Sequence, residues 1–408
     1  MSRLTSLPTF AAFRHRNFRL FFWGYVVSLT GVWMQRVAQS WLVLDITGSA
    51  FYVGLVEALG TLPVLLFSLH AGAIADRVAK RPMVVATQTA AMLVALAFAA
   101  MVYLGFQSVT LIIVLAALMG VATAFDIPAR QSFFIEIVGK EDLASAIALN
   151  ASAFNATRVV GPAIAGIAIG LVGVGLCFFL NGVSYLAVIA ALFAMQLPPF
   201  RRVTVPPRST WSNIAEGLRY VRHEPRARAL LLNIAIMSIC GLPVLTLLPV
   251  LARLELGLGA REYGWMMSAV GGGALVGALA VATFARRMRM GRVAGWAAVL
   301  FGLSVAAVGL SHSLIVVLGL LAIVGLAMIT TTALTNTLLQ TLVPDGLRGR
   351  VISVYTLSFV GMAPFGSFLG GTAADRFGVA WTLGVGGLVC AGAAIVLLVR
   401  SRALQTAQ

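Results

Sequence analysis

Residues 71–85 read AGAIADRVAKRPMVV and join two apolar runs, 50–74 and 83–104. Each run is long enough to cross the hydrocarbon of a bilayer, which takes roughly 20 residues of helix. Between them Asp76, Arg77, Lys80 and Arg81 make a short charged turn. Such a hairpin is two membrane-spanning helices whose shared loop lies on the side of the bilayer that collects positive charge. That reading decides the fold class.

The same alternation runs the length of the chain. Apolar runs lie near 18–46, 50–74, 83–104, 109–134, 143–172, 174–195, 227–251, 262–285, 293–311, 314–341, 350–374 and 379–399. A lone strand in lipid leaves its backbone unpaired, so each run is read as helix. Composition agrees: of 408 residues 60% are hydrophobic and 10% charged, with a mean hydropathy of +0.98. A soluble domain carries about 25% charged residues. The expected fold is an all-α membrane protein with twelve transmembrane helices in two pseudo-symmetric six-helix bundles, both termini cytoplasmic.

Charge placement sets the orientation. Of the 29 basic residues, 24 fall in segments that alternate to one side. Arg253, Arg261 and Arg376 fall on the other side, and Arg36 and Arg158 lie within spans. This split puts the basic loops inside the cell, and it explains a pI of about 11.2 without nucleic acid. The first 17 residues are polar and basic, and no small-residue cleavage site follows the first apolar run. That run is expected to be a retained helix rather than a signal peptide.

The longest break, 196–226, holds Pro198, Pro199, Pro206 and Pro207. After them Trp211, Ile214, Leu218 and Val221 share one helical face, with Arg219, Arg222 and His223 on the other. This is the pattern of a helix lying in the membrane interface, with Ser209 or Thr210 as its cap. The expected organisation is a six-helix bundle over 1–195, a cytoplasmic linker over 196–226 and a second bundle over 227–408. The halves echo each other. A shift of 205 carries Phe154 to Phe359, Gly161 to Gly366, Gly166 to Gly371 and Gly173 to Gly378, and LIIV at 111–114 returns as LIVV at 314–317. Internal repeats of this kind build secondary transporters, with the substrate site at the repeat interface.

Other classes of function find no motif. The four His are scattered without a zinc-binding H-E-x-x-H, and no phosphate-binding G-x-x-x-x-G-K-S/T occurs. Cys177, Cys240 and Cys390 sit apart inside apolar runs, as small buried hydrophobes do. No cofactor and no metal site are expected.

The loop quoted first resembles the signature G-x-L-A-D-R-x-G-R-K of the major facilitator superfamily. Gly72, Ala75, Asp76, Arg77, Lys80 and Arg81 stand in register, with Ile74 for Leu and Ala79 for the second Gly. The resemblance implies an inner gate, in which Asp76 meets the start of the eleventh helix near Gly349 and Arg350, and Arg77, Lys80 and Arg81 bind acids of the same half. GPAIAG, Gly161 to Gly166, resembles the antiporter motif G-P-x-x-G-G in the fifth helix, and implies export through Gly161, Pro162 and Gly166. Thr157 stands where that motif expects a further Gly. FDIPARQSFFIEIVGKEDLASAIALNASAFNATRVVGPAIAG, CFFLNGVSYLA and LTNTLLQTLVPDGLRGRVIS look like the bacterial exporter branch that includes the enterobactin exporter, the transmembrane secretion effector group. Proton antiporters of the superfamily carry an Arg in helix 4; here that position is Ala116.

Ionisable and polar groups at membrane depth are the candidate substrate and coupling residues. Arg36 lies beside Gln35 and Gln39 in the first helix, at a depth similar to Glu57 in the second, so the two can pair. Arg158 shares a face with Asn155 and can bind an anionic substrate group or replace the missing helix-4 Arg. Asp126 can pair with Arg130 one turn on, as a local pair or gate. In the tenth helix Thr332, Asn336 and Gln340 share a face.

These readings converge on a secondary active transporter, not an enzyme, that extrudes a small organic molecule (siderophore, drug or metabolite) by alternating access and proton antiport. It is expected to act as a monomer in the bacterial inner membrane, with the lipid bilayer around it and no nucleic-acid partner. A lipid or amphiphile flippase on the same fold, and uptake rather than export, stay open.

Overall fold

A computed structural model describes residues 8–75, 77–197, 210–287 and 289–400; for Pro8, Thr9, Leu69, residues 210–214, Arg286 and Arg400 it describes the backbone alone. All of its secondary structure is helical. A 3-10 turn, Pro8–Arg14, leads into α1 (Arg16–Thr47), α2 (Ala50–Ala75), α3 (Lys80–Tyr103), α4 (Val109–Val138), α5 (Leu143–Val172) and α6 (Val174–Ala194). The linker holds α7 (Thr210–His223), the helix expected to lie in the interface. Then come α8 (Pro225–Glu255), α9 (Ala260–Phe284), α10 (Met290–Leu310), α11 (Leu314–Leu342), α12 (Asp345–Phe377) and α13 (Val379–Arg400).

Eleven described helices, α2–α6 and α8–α13, are long and apolar enough to cross a membrane. The twelfth long helix, α1, spans 32 residues and carries Gln35, Arg36 and Gln39 in its outer half. Several helices outrun their apolar stretch. α4 continues to Val138, α8 begins at Pro225 and ends at Glu255, and α12 covers Asp345–Phe377. Hydrophobicity marks only the part of a helix that lipid surrounds, whereas backbone hydrogen bonding continues into the polar zone. Arg130, counted in the sequence among the loop charges, therefore lies inside α4, and Arg253 lies in the last turn of α8.

By contacts the chain forms two compact units, Met1–Ile46 with Leu59–Pro206, and Thr47–Ala58 with Pro207–Gln408. In the first, α3 packs against α4 and α6. Ala91, Ala95, Ala122 and Tyr185 form a tight apolar centre, and the Phe98 and Phe178 rings stack at 5.0 Å. At the basic end, cations cover exposed helix C-termini. The Lys80 ammonium donates to Ala75 O at the end of α2 and to Val78 O at 3.0 Å. Arg81 donates to Phe193 O at 3.2 Å and Met195 O at 3.5 Å at the end of α6. A cation there satisfies orphan carbonyls and opposes the negative end of the helix dipole.

In the second unit α9 lies along α11, and α10 against α11 and α13. α8 and α12 are interrupted. Each holds a π-helical turn ahead of a proline, Met237–Gly241 before Pro243 and Leu357–Gly361 before Pro364. The two turns meet, with Ser238 Oγ donating to Phe359 O at 2.6 Å. Discontinuous helices are tolerated at membrane depth only where protein or a cavity satisfies the freed backbone. The outer end of α2 also packs here: Asp375 Oδ1 accepts from Ser49 Oγ at 2.7 Å and from Phe51 N at 3.4 Å, capping α2.

The sequence repeat holds at the level of contacts. A methyl group on Gly161 of α5 would fall 2.5 Å from Trp33 Cβ of α1. One on Gly366 of α12 would fall 2.5 Å from Ser238 O of α8. Gly366 and Ser238 stand 205 residues beyond Gly161 and Trp33. Duplicated helices thus cross at duplicated glycines.

The linker helix α7 lies on α12. Gly217 packs against the Arg350 carbonyl, with 2.6 Å left for a Cβ, and Glu216 forms an ion pair with Arg350. Val221 is buried and Leu218 exposed. The side chains of Trp211 and Ile214, assigned in the sequence to the apolar face, lie outside the described residues.

Candidate functional site

A cavity of about 440 Å³ opens in the first unit, lined by α1, α3, α4, α5 and α6. One end is a charged network. α4 presents Asp126 and Arg130 one turn apart, with the Asp126 Oδ2 accepting from Arg130 Nε at 3.2 Å. Asp126 Oδ1 accepts from Thr87 Oγ1 at 3.0 Å and Gln88 Nε2 at 2.8 Å, both on α3. Arg130 Nη1 donates to the Tyr25 hydroxyl on α1, and its guanidinium carbon sits 4.4 Å from the centre of the Tyr25 ring. The two charged side chains are each 14% exposed. A pair so enclosed holds only because the spare lone pairs and N–H groups have partners.

The other end is cationic and aromatic. The guanidinium carbons of Arg36 and Arg158 each lie 5.7 Å from the centre of the Trp33 ring, and the Phe154 ring meets Trp33 edge-on at 5.6 Å. Arg158 is 7% exposed, and its Nε has no hydrogen-bond partner. Trp33 Nε1 is a second buried donor without a partner, and Gln88 Oε1 and Asn150 Oδ1 are buried acceptors without one. Buried polar atoms are nearly always hydrogen-bonded. Of these residues Trp33, Gln88 and Asn150 line the cavity, and Arg158 does not.

The cavity gathers some of the residues singled out in the sequence and leaves others aside. Arg36 and Asp126 line it, together with Trp33 and Asn150, which the sequence reading did not single out, and Arg158 stands beside Trp33 without lining it. Gln35 is buried and accepts from Asn181 Nδ2 at 2.6 Å, a structural tie between α1 and α6. Gln39 is half-buried. Asn155 donates to Ala151 O of its own helix at 2.9 Å. Glu57 lies on the part of α2 that groups with the second unit, and Arg36 groups with the first. Gly161, Pro162 and Gly166 are buried in α5, and Gly161 is the seat of Trp33. A methyl at Gly120 would stand 2.1 Å from Gly60 O, so α2 and α4 pack tightly one turn from Ala116.

On α11 Gln340 Nε2 donates to Asn336 Oδ1 at 2.5 Å, whereas Thr332 Oγ1 turns back onto Met328 O at 2.9 Å. In the gate motif Gly72 faces open space, Arg77 is exposed, and Lys80 and Arg81 bind the carbonyls described above. The charge of Lys80 also acts on Glu136 of α4. Asp76 lies outside the described residues. The sequence reading passed over Tyr25, Thr87 and Gln88. Tyr25, Ser28, Val32 and Arg36 recur every three to four residues and line the cavity from α1, so a polar stripe at helical spacing was there to be found.

Comparison with known proteins matches residues 7–408 to the transmembrane secretion effector family. The staphyloferrin A transporter of Staphylococcus aureus is 26% identical over 91% of this chain and 92% of its own length. The multidrug efflux pump Tap of Mycolicibacterium fortuitum is 30% identical over 84% and 85%. A bacterial homolog of the human lysosomal transporter Spinster, solved inward-facing and occupied, superposes with a TM-score of 0.74 over 95% of this chain and 97% of its own, at 15% identity. The matched length, the helical architecture and the membrane-spanning composition agree: the chain belongs to the transmembrane secretion effector family, and it is a multi-pass membrane transporter of the major facilitator fold.

Proposed function

We propose that this transporter is an exporter, moving a small hydroxylated organic anion out of a bacterial cell by alternating access in exchange for protons. The observation that carries the reading is the cavity of the first unit, where Arg36 and Trp33, with its spare donor, line one end with Arg158 buried beside Trp33, and Asp126 stands as the one lining carboxylate at the other, among the described residues. A carboxylate of the substrate would take the Trp33 donor and face the charge of Arg36, with the buried charge of Arg158 beside Trp33 adding to the attraction. Its hydroxyl groups would donate to Gln88, Asn150 and Asp126. Protonation of Asp126 removes an acceptor and weakens its hold on Arg130, so proton and substrate oppose each other at this position. Such mutual exclusion is what antiport requires.

The relatives, a staphyloferrin A transporter and a multidrug efflux pump, support export of a siderophore, drug or metabolite. The basic loops place both termini in the cytoplasm of the cytoplasmic membrane. The bundles 1–195 and 227–408, joined by 196–226, are the two moving halves of the cycle, with Gly72, Asp76, Arg77, Lys80 and Arg81 as the inner gate.

The test begins with a deletion strain whose spent medium is profiled against the parent. An anionic metabolite should vanish from the medium and return with the intact gene. Everted vesicles should then accumulate that metabolite under an imposed pH gradient. Arg158→Gln should weaken its binding, and Asp126→Asn should remove the response to the gradient. Transport of a neutral or cationic compound with unchanged affinity in Arg158→Gln would refute the anion reading.

A further inference from the structure

We infer that the groove between the linker helix α7 and the start of α8 is a binding site for an anionic phospholipid of the leaflet at the basic end of the protein. The groove encloses about 780 Å³, the scale of a small-molecule site. Arg219, Arg222 and Arg228 line it, with His223, and no carboxylate does. The acids nearest in sequence are occupied elsewhere. Glu216 pairs with Arg350, and Glu224 caps α8 by accepting from Arg226 N at 3.4 Å.

The lower wall is apolar. Leu218 and Leu232 are 58% and 56% exposed, and Ala235 continues that wall along α8. From Arg228 to Ala235 the helix descends about 10 Å, at 1.5 Å per residue, from its charged start toward the hydrocarbon. A soluble anion would match the guanidinium groups and leave the leucines uncovered. A phospholipid matches both, with its phosphate among the arginines and an acyl chain along Leu231, Leu232 and Ala235. Basic pockets at this depth between helices attract anionic headgroups. A lipid held here would bridge α7 to α8, adding to the Glu216–Arg350 pair between α7 and α12.

Native mass spectrometry of the full chain tests this, after incubation in detergent with equimolar phosphatidylglycerol and phosphatidylcholine. Phosphatidylglycerol adducts should exceed phosphatidylcholine adducts by about tenfold, about 1.4 kcal/mol of differential affinity. The preference should fall toward unity in Arg222→Gln/Arg228→Gln and survive in Arg261→Gln, at the opposite end of the second unit. In the unmodified protein it should also weaken as salt screens the headgroup, a readout that needs no variant to fold. Equal retention of the two lipids, a preference unmoved by the double substitution or by salt, or displacement by millimolar inorganic phosphate would overturn the proposal. The last result would mark a site for a soluble anion.

Discussion

The substitution Gly161→Ala tests the link between the glycine motif of α5 and the cavity. The added methyl carbon falls 2.5 Å from Trp33 Cβ and 3.0 Å from Thr30 O. Ordinary carbon–carbon contact needs about 3.5–4.0 Å, so α5 must retreat from α1 by about 1 Å. Overpacking of that size costs about 1–3 kcal/mol. Arg158 lies one turn before Gly161, and its guanidinium is placed by the Trp33 ring that the methyl would push. The same retreat therefore opens the cationic end of the cavity.

Gly366→Ala is the matched control. Its methyl falls 2.5 Å from Ser238 O, at the duplicated crossing within the second unit, and neither residue lines the Trp33 cavity. Thermal unfolding in detergent should show both variants destabilised by similar amounts. Equilibrium binding of the exported compound should weaken only in Gly161→Ala, by about tenfold for 1.4 kcal/mol of lost interaction. Equal weakening in both variants would refute the idea that the α5 glycine sets the Trp33–Arg158 geometry, as would full binding in a destabilised Gly161→Ala.

Three further outcomes follow from named contacts. Asp126→Asn leaves Arg130 enclosed without its counter-charge and should destabilise the protein by about 3–5 kcal/mol, whereas Asp126→Asn with Arg130→Met should recover much of that loss in the same melting assay. Arg350→Gln removes the ion pair with Glu216, whose side chains are 28% and 42% exposed. It should cost no more than about 1 kcal/mol in global stability, yet speed proteolysis within α7 under native conditions. Asp375→Ala removes the cap on α2 and should lower stability by about 1 kcal/mol, with faster amide exchange confined to the first turn of α2.

The helices were legible because a membrane imposes one rule on every span: twenty or so apolar residues with basic loops on one side. The charge pair within α4 was legible too, since Asp126 and Arg130 lie one turn apart on a single helix. Contacts between helices were legible only where a repeat marked them, as Gly161 and Gly366 did. The π-helical turns of α8 and α12 left a faint trace in Gly241-Leu242-Pro243 and Gly361-Met362-Ala363-Pro364. They depend on how the two helices cross, which local sequence does not state. The carbonyl partners of Lys80 and Arg81 were not legible for a similar reason. A basic side chain near a helix end meets backbone carbonyls as readily as acids, and carbonyls leave no mark in a sequence.

By itself the sequence determined the solvent and the order of the long apolar helices, and it pointed to the duplication and to the side on which the charges are expected. All of these follow from hydrophobicity and charge counted along one dimension. Only the tertiary structure decided that Tyr25, Thr87 and Gln88 join Asp126 and Arg130, that Trp33 gathers two guanidinium groups, and that α7 and α8 enclose a basic groove. Those groupings bring together residues far apart in the chain. They exist only once helix packing has fixed which faces meet.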